Sequence, residues 1–265
     1  MKVGFIGCGN MGGALARAVS LADGVRVYLS DRDEERAAAL ARELGGEAGC
    51  AEALAKECDF LFLGVKPNGI RELLSGLEEP LKLNTGVTLV SMAAGISLEH
   101  LAGMTKSPYP TVRIMPNTPV AVGEGMTVYA PNELVTKENE AEFCRIMHHT
   151  GTLDRLGEEL IDAACAVSGC GPAFAYMFID ALAKGGEAAG LPREKALLYA
   201  SEMVRGAAKM VLSSDKTPET LKNNVCSPGG STIEGVHSLE GDGFDGTVRR
   251  AVNASFEKTK ILGKK

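Results

Sequence analysis

Two glycine-rich stretches carry residue types suited to handling charged small molecules. The first, Gly7-Cys8-Gly9-Asn10-Met11-Gly12, has GxGxxG spacing and follows the strand-like run Lys2–Ile6 directly. In that context Gly7 permits a tight turn, Gly9 admits a pyrophosphate to the backbone, and Gly12 allows close helix–strand packing. The pyrophosphate then meets the free amides of a helix N-terminus, although a glycine turn without a ligand has the same spacing. The second stretch, Asn223-Asn224-Val225-Cys226-Ser227-Pro228-Gly229-Gly230-Ser231-Thr232, breaks one helix and starts another. It reads either as a loop ended by a capping box, with Ser231 as N-cap and Glu234 reaching back, or as a second anion site. In the latter case a small carboxylate meets helix amides beside the Ser231 and Thr232 hydroxyls.

Further ligand-facing turns belong at the carboxyl ends of later strands, where open α/β sheets bind ligands. Gly64-Val65-Lys66-Pro67 and Met92-Ala93-Ala94 occupy such places, with Lys66 also fitting an ordinary surface lysine and the alanines small enough for a ring to lie against the backbone. The end of the second strand, Ser30-Asp31-Arg32, carries both an acid that suits ribose hydroxyls and an Arg that suits a 2′-phosphate. The same residues also serve as a solvated loop and helix cap, so the choice between NAD-type and NADP-type cofactors stays open at this point.

Other chemistries lack their residues. Ser168 is not a hydrolase nucleophile, because GxSxG needs glycine where Ala166 stands. The four histidines form no HExxH, and no metal site is expected. The seven cysteines are scattered without CxxC spacing and are expected to be reduced, mostly buried thiols. A net charge of -6 without a basic run argues against nucleic acid. No leader is seen ahead of Lys2–Ile6, and no run nears spanning length, so a cytoplasmic protein without a membrane segment is expected.

The elements that position these residues follow from patterning. Lys2–Ile6, Arg26–Leu29, Asp59–Val65, Val87–Ser91, Thr111–Met115 and Met126–Ala130 read as strands, interleaved with helices such as Met11–Leu21, Glu34–Leu44 and Glu138–His149. This predicts a largely parallel α/β sheet with the continuously apolar run after Asp59 near its middle. Beyond Leu156 only helices are predicted: Pro172–Ala189, Arg193–Leu212, Thr217–Asn224, Ser231–Leu239 and Thr247–Leu262. The 265 residues thus divide into a dinucleotide-binding domain, 1–156, and an all-α domain, 157–265. With 5% aromatics, no Trp and 32 glycines, packing must rest on small residues. Phe174–Ala183 is apolar nearly all round and must be covered on every side, which predicts an obligate, interleaved dimer.

Taken in order, Gly4–Gly12, Val65-Lys66-Pro67, Arg113–Pro119, Ser168-Gly169-Cys170-Gly171-Pro172-Ala173 and Leu221–Thr232 resemble the pyrroline-5-carboxylate reductase family. The resemblance runs from residue 4 to about residue 240 and implies a Rossmann-type domain followed by a helical dimerisation domain. It implies reduction of the cyclic imine 1-pyrroline-5-carboxylate to L-proline by NADPH, or NADH, in dimers that also assemble into decamers. Carried-over positions, joined to Ser30, Asp31 and Arg32 as read above, make the expected cofactor-binding set Ile6, Gly7, Cys8, Gly9, Asn10, Met11, Ser30, Asp31, Arg32, Gly64, Val65, Lys66, Pro67, Met92, Ala93, Ala94 and Asn224. The substrate-binding positions are Asp215, Val225, Gly229, Gly230, Ser231 and Thr232. Thr232 is the candidate donor or relay of a proton to the ring nitrogen, and Asp215 fits equally an ordinary surface acid. Two positions depart from the family pattern: Asp31 replaces a small polar residue, and Ala51 stands near a common cofactor-contacting Asn. A β-hydroxyacid dehydrogenase would carry a catalytic Lys where Ala175 stands, and a non-catalytic NADP sensor would not need the Ser227–Thr232 loop.

Overall fold

In a computed structural model describing residues 1–262, the first half of the chain forms one eight-stranded sheet among the described residues. Its strands are β1 (Lys2–Ile6), β2 (Arg26–Ser30), β3 (Glu47–Ala48), β4 (Phe60–Leu63), β5 (Thr88–Ser91), β6 (Thr111–Met115), β7 (Gly125–Pro131) and β8 (Gly151–Arg155). The spatial order is β3-β2-β1-β4-β5-β6-β7-β8. Strands β1 to β6 run parallel, β7 turns back against β6, and β8 runs parallel to β7. β4 lies fourth in the order and is buried throughout, as its continuous apolar sequence requires. Its alternate residues serve two cores: Phe60 and Phe62 join one with Phe5 and Phe143, and Leu61 and Leu63 join the other with Leu74 and Leu77. The rings of Phe5 and Phe62, paired in the β1–β4 register, stack with centroids 4.5 Å apart.

Helices α1 (Asn10–Val19), α2 (Glu34–Leu44), α3 (Ala51–Glu57), α4 (Ile70–Lys82), α5 (Leu98–Ala102) and α6 (Lys137–Met147) connect the strands. α2 illustrates local design: the Asp33 carboxylate caps it by accepting the Arg36 N–H, and Gly45 ends it at φ 63°. Strands β3 and β8 were not expected. β3 is only two residues long, and β8 is a mostly polar edge strand without a clean apolar alternation.

The remaining helices are α7 (Ile161–Ala164), α8 (Gly171–Ala188), α9 (Arg193–Leu212), α10 (Pro218–Val225), α11 (Ser231–Gly241) and α12 (Phe244–Leu262). The compact units are Met1–Cys170 with the chain from Ala254 to the end of α12, and Gly171–Asn253. The compact units thus divide further along the chain than the expected 156/157 division, which followed the change from strands to helices. Packing carries the first unit further: Ile161 and Cys165 share a core with Met115, Val128 and Ala130, and the buried Arg113 pairs with Glu158 at 3.2 Å and Asp162 at 2.6 Å.

Nor does helical structure begin at Pro172 as expected. A π-turn, Cys165–Gly169, follows α7, and the Cys170 N–H bonds the Cys165 carbonyl at 2.9 Å. Pro172 has no N–H for the carbonyl four residues back. That carbonyl, of Ser168, accepts instead from the Asn117 side-chain amide at 3.0 Å, while the Asn117 Oδ1 accepts the Met126 N–H at 2.9 Å.

Within the second unit, α8 and α9 meet through the buried Ala183, Ala196 and Ala200, and Arg193 is paired with Asp180 and Glu187. Tyr176, Met177, Leu198, Tyr199, Met203 and Met210 are exposed in the single chain. The helical run Glu158–Ala188 is, by length and composition alone, apolar enough to cross a membrane, contrary to the expectation that no such run exists.

Candidate functional site

The first unit brings several predicted turns to one end of its parallel sheet. At the β1–α1 turn, Gly7 adopts φ 101° and its N–H bonds the Ser30 carbonyl at 2.8 Å. A Cβ at Gly12 would lie 2.0 Å from the Gly7 carbonyl oxygen, so only glycine lets the helix start this close to the strand. Gly9, the N-cap of α1, has no side-chain cap, and the space where its Cβ would stand is open. The first amides of α1 are therefore left for an anion, and the turn fits the pyrophosphate of a dinucleotide. Asn10 is exposed, Met11 half-buried, and Ile6 buried in the core beneath.

The turn after β4 lies against the first. The Gly64 N–H bonds the Ile6 carbonyl at 2.7 Å, and a Cβ on Gly64 would come 2.7 Å from the Gly7 oxygen. Val65 and Pro67 are half-buried, and Lys66 is exposed, with no ion pair among the described residues. After β5, Met92 and Ala94 are half-buried. Ala93 is 2% exposed and its methyl joins the core, which leaves its backbone as the part able to border a ligand. Because β1, β4 and β5 are neighbours in the sheet, these turns fall together where the strand order reverses, the usual ligand position of such sheets.

Ser30 is buried and Arg32 exposed, while the Asp31 carboxylate is built into the turn. Its Oδ2 accepts the Cys8 N–H at 2.6 Å and its Oδ1 accepts the Asp33 N–H at 3.0 Å. The buried Cys8 thiol donates to the Ser30 carbonyl at 3.5 Å. Burial, reinforced by the Asp31 charge, pushes its pKa up to about 11, so it stays a neutral packing group rather than a nucleophile.

The second unit presents the other glycine stretch. α10 ends at Val225, the Gly230 N–H turns back onto the Ser227 carbonyl at 3.0 Å, and Gly229 takes φ 69°. Gly230, in extended conformation, is the N-cap of α11 and supplies no side-chain cap. The expected capping box is thus corrected: Ser231 is the first helical residue, one position too late for its hydroxyl to cap. Neither the Ser231 nor the Thr232 hydroxyl has a hydrogen-bond partner among the described residues, and both side chains are exposed. Lys222 on α10 and Glu240 on α11 pair at 2.8 Å, tying together the helices on either side of the loop. Asn224 and Val225, at the end of α10, are exposed, as is Asp215 in the α9–α10 connection.

Arg113 and Asn117 were given no role by the sequence reading. Both are polar residues in or just after a buried strand, and Asn117 stands as the partner of a carbonyl that Pro172 cannot serve; those were the available signals. A cavity of about 470 Å³ near α5, lined by residues such as Leu74, Leu101, Tyr109 and Leu134, contains none of the predicted site residues.

Comparison with known proteins adds independent findings. A family model described as pyrroline-5-carboxylate reductase dimerisation matches residues 158–262, and one described as NADP oxidoreductase coenzyme F420-dependent matches residues 2–95. The pyrroline-5-carboxylate reductase of Escherichia coli (strain K12) is 39% identical over 269 residues, covering 99% of this chain and 98% of that protein. Among solved structures, the Plasmodium falciparum pyrroline carboxylate reductase with NADP bound is 33% identical, with TM-score 0.88 and coverage of 99% and 98%. The Streptococcus pyogenes 1-pyrroline-5-carboxylate reductase is 32% identical, with TM-score 0.90 and 98% coverage of both chains.

Proposed function

This chain belongs to the pyrroline-5-carboxylate reductase family, and from that premise we propose how its own residues reduce 1-pyrroline-5-carboxylate to L-proline. The bound cofactor, NADPH or NADH, supplies a hydride to the ring carbon of the C=N bond. A proton must reach the ring nitrogen, so an orienting cradle and a proton source are needed rather than a strong base.

The first unit would hold the dinucleotide at Gly7 to Met11, with the Gly64–Pro67 and Met92–Ala94 turns bordering the nicotinamide end. Gly229, Gly230, Ser231 and Thr232 hold the substrate carboxylate on the first amides of α11, with Val225 and Asp215 at the substrate edge. The Thr232 hydroxyl hydrogen-bonds the ring nitrogen and delivers or relays its proton.

The carrying observation is the uncapped start of α11: the glycine N-cap leaves the helix amides unserved by a side chain, beside two hydroxyls that have no partner among the described residues. The exposed apolar side chains of α8 and α9 support a dimer, with decamers built from dimers, and we place the enzyme in the cytoplasm. Purified protein is expected to oxidise reduced nicotinamide cofactor on addition of the imine, with proline formed in equal amount. Absence of imine-dependent oxidation with either cofactor would overturn the proposal.

A further inference from the structure

The acid after β2 is fixed in place by the turn it borders. Asp31 is 12% exposed at its side chain, and both carboxylate oxygens are engaged: Oδ2 with the Cys8 N–H at 2.6 Å, Oδ1 with the Asp33 N–H at 3.0 Å and the Arg36 guanidinium at 3.5 Å. The bond to Cys8 is charge-assisted and ties the acid to the loop that leads into α1. Swinging the carboxylate away would leave the Cys8 N–H without its acceptor.

The surroundings do not compensate for a second anion. Arg36 is already shared between Asp31 and Asp33, the latter at 3.0 Å. Over residues 31–36 four carboxylates, Asp31, Asp33, Glu34 and Glu35, stand against two guanidiniums, Arg32 and Arg36. A ribose diol meets this arrangement well, because its hydroxyls are donors and a carboxylate has about four acceptor sites in all. A 2′-phosphate brings like charge to the same place.

We propose that Asp31 is the residue that sets this chain's choice between the two nicotinamide dinucleotides, favouring a free 2′-hydroxyl over a 2′-phosphate. The proposal rests on the reading of the first unit as the dinucleotide site. It does not require that NADPH be rejected. It requires that the Asp31 charge lower the affinity for NADPH relative to NADH, and that Arg32, exposed beside it, become an effective phosphate partner once the charge is gone.

The test is isothermal titration of NADH and NADPH, and of adenosine 2′,5′-bisphosphate and 5′-AMP as fragments without the nicotinamide. The proteins are the wild type, Asp31→Asn and Asp31→Ser, with circular dichroism confirming their fold. Asparagine keeps an oxygen for the Cys8 N–H and removes the charge, giving up only the acceptor of the more exposed Asp33 N–H, so it decides the matter if the serine variant folds poorly. The wild type is expected to bind NADH at least as tightly as NADPH. The asparagine variant is expected to raise the NADPH-to-NADH affinity ratio by about tenfold or more, with the same shift for the fragments. An unchanged ratio in a folded variant that binds both nucleotides would overturn the role of Asp31 while leaving the dinucleotide site standing. If neither nucleotide bound the wild type, the reading of the glycine turn would fall, and this proposal with it.

Discussion

Replacing Asn117 by alanine removes a side chain that serves two backbone groups at once. The Met126 N–H loses its acceptor at 2.9 Å, and the Ser168 carbonyl loses its donor at 3.0 Å. Asn117 is 8% exposed, so water has little access to take its place. An unsatisfied buried polar group costs about 1–3 kcal/mol, which puts Asn117→Ala at roughly 2–5 kcal/mol of destabilisation. For a chain of this size that lowers Tm by on the order of 5–15 °C. The assay is thermal and urea unfolding at fixed protein concentration, since self-association makes stability concentration-dependent. Pro172→Ala supplies the control because it gives position 172 an N–H able to serve the Ser168 carbonyl. The double variant Asn117→Ala/Pro172→Ala is therefore expected to recover about 1 kcal/mol or more relative to the sum of the single changes. A loss below about 0.5 kcal/mol in Asn117→Ala, or strict additivity in the cycle, would refute the reasoning that Asn117 stands in for the missing proline N–H.

Three further outcomes are expected. Thr232→Val should lower turnover by about a hundredfold or more while leaving cofactor affinity unchanged, measured by steady-state kinetics and titration; equal turnover would remove Thr232 as proton donor. Gly12→Ala places a methyl 2.0 Å from the Gly7 carbonyl oxygen, so it should abolish detectable cofactor binding and destabilise the fold by about 1–3 kcal/mol, read by titration and melting. Burial raises the pKa of Cys8 to about 11, of Cys58 to about 12 and of Cys165 to about 11, from an ordinary 9.0. The folded state thus holds these protons more tightly than the unfolded chain. Their contribution is complete below about pH 9 and falls as pH rises through about 11, so Tm should drop between about pH 8 and about pH 10. A Tm flat over that interval would contradict the burial of these thiols.

What the sequence made legible was local. The spacing Gly7, Gly9, Gly12 after an apolar strand anticipated a turn in which one glycine has positive φ and another has no room for a Cβ, and the structure has both. The apolar run after Asp59 correctly indicated a central strand. The misses arose where a distant partner overrides local pattern. β8 is a polar edge strand held by its pairing with β7. Pro172 reads as a helix start until Asn117 is seen taking the Ser168 carbonyl. Ser231 reads as an N-cap until the extended backbone of Gly230 claims that position.

The claim that the start of α11 cradles the substrate is tested most directly by a crystal structure of the protein with oxidised nicotinamide cofactor and proline bound together. The account predicts the proline carboxylate on the backbone amides of Ser231 and Thr232, with the ring nitrogen at hydrogen-bond distance from the Thr232 hydroxyl. A carboxylate seated elsewhere, with those amides and hydroxyls facing solvent, would contradict it.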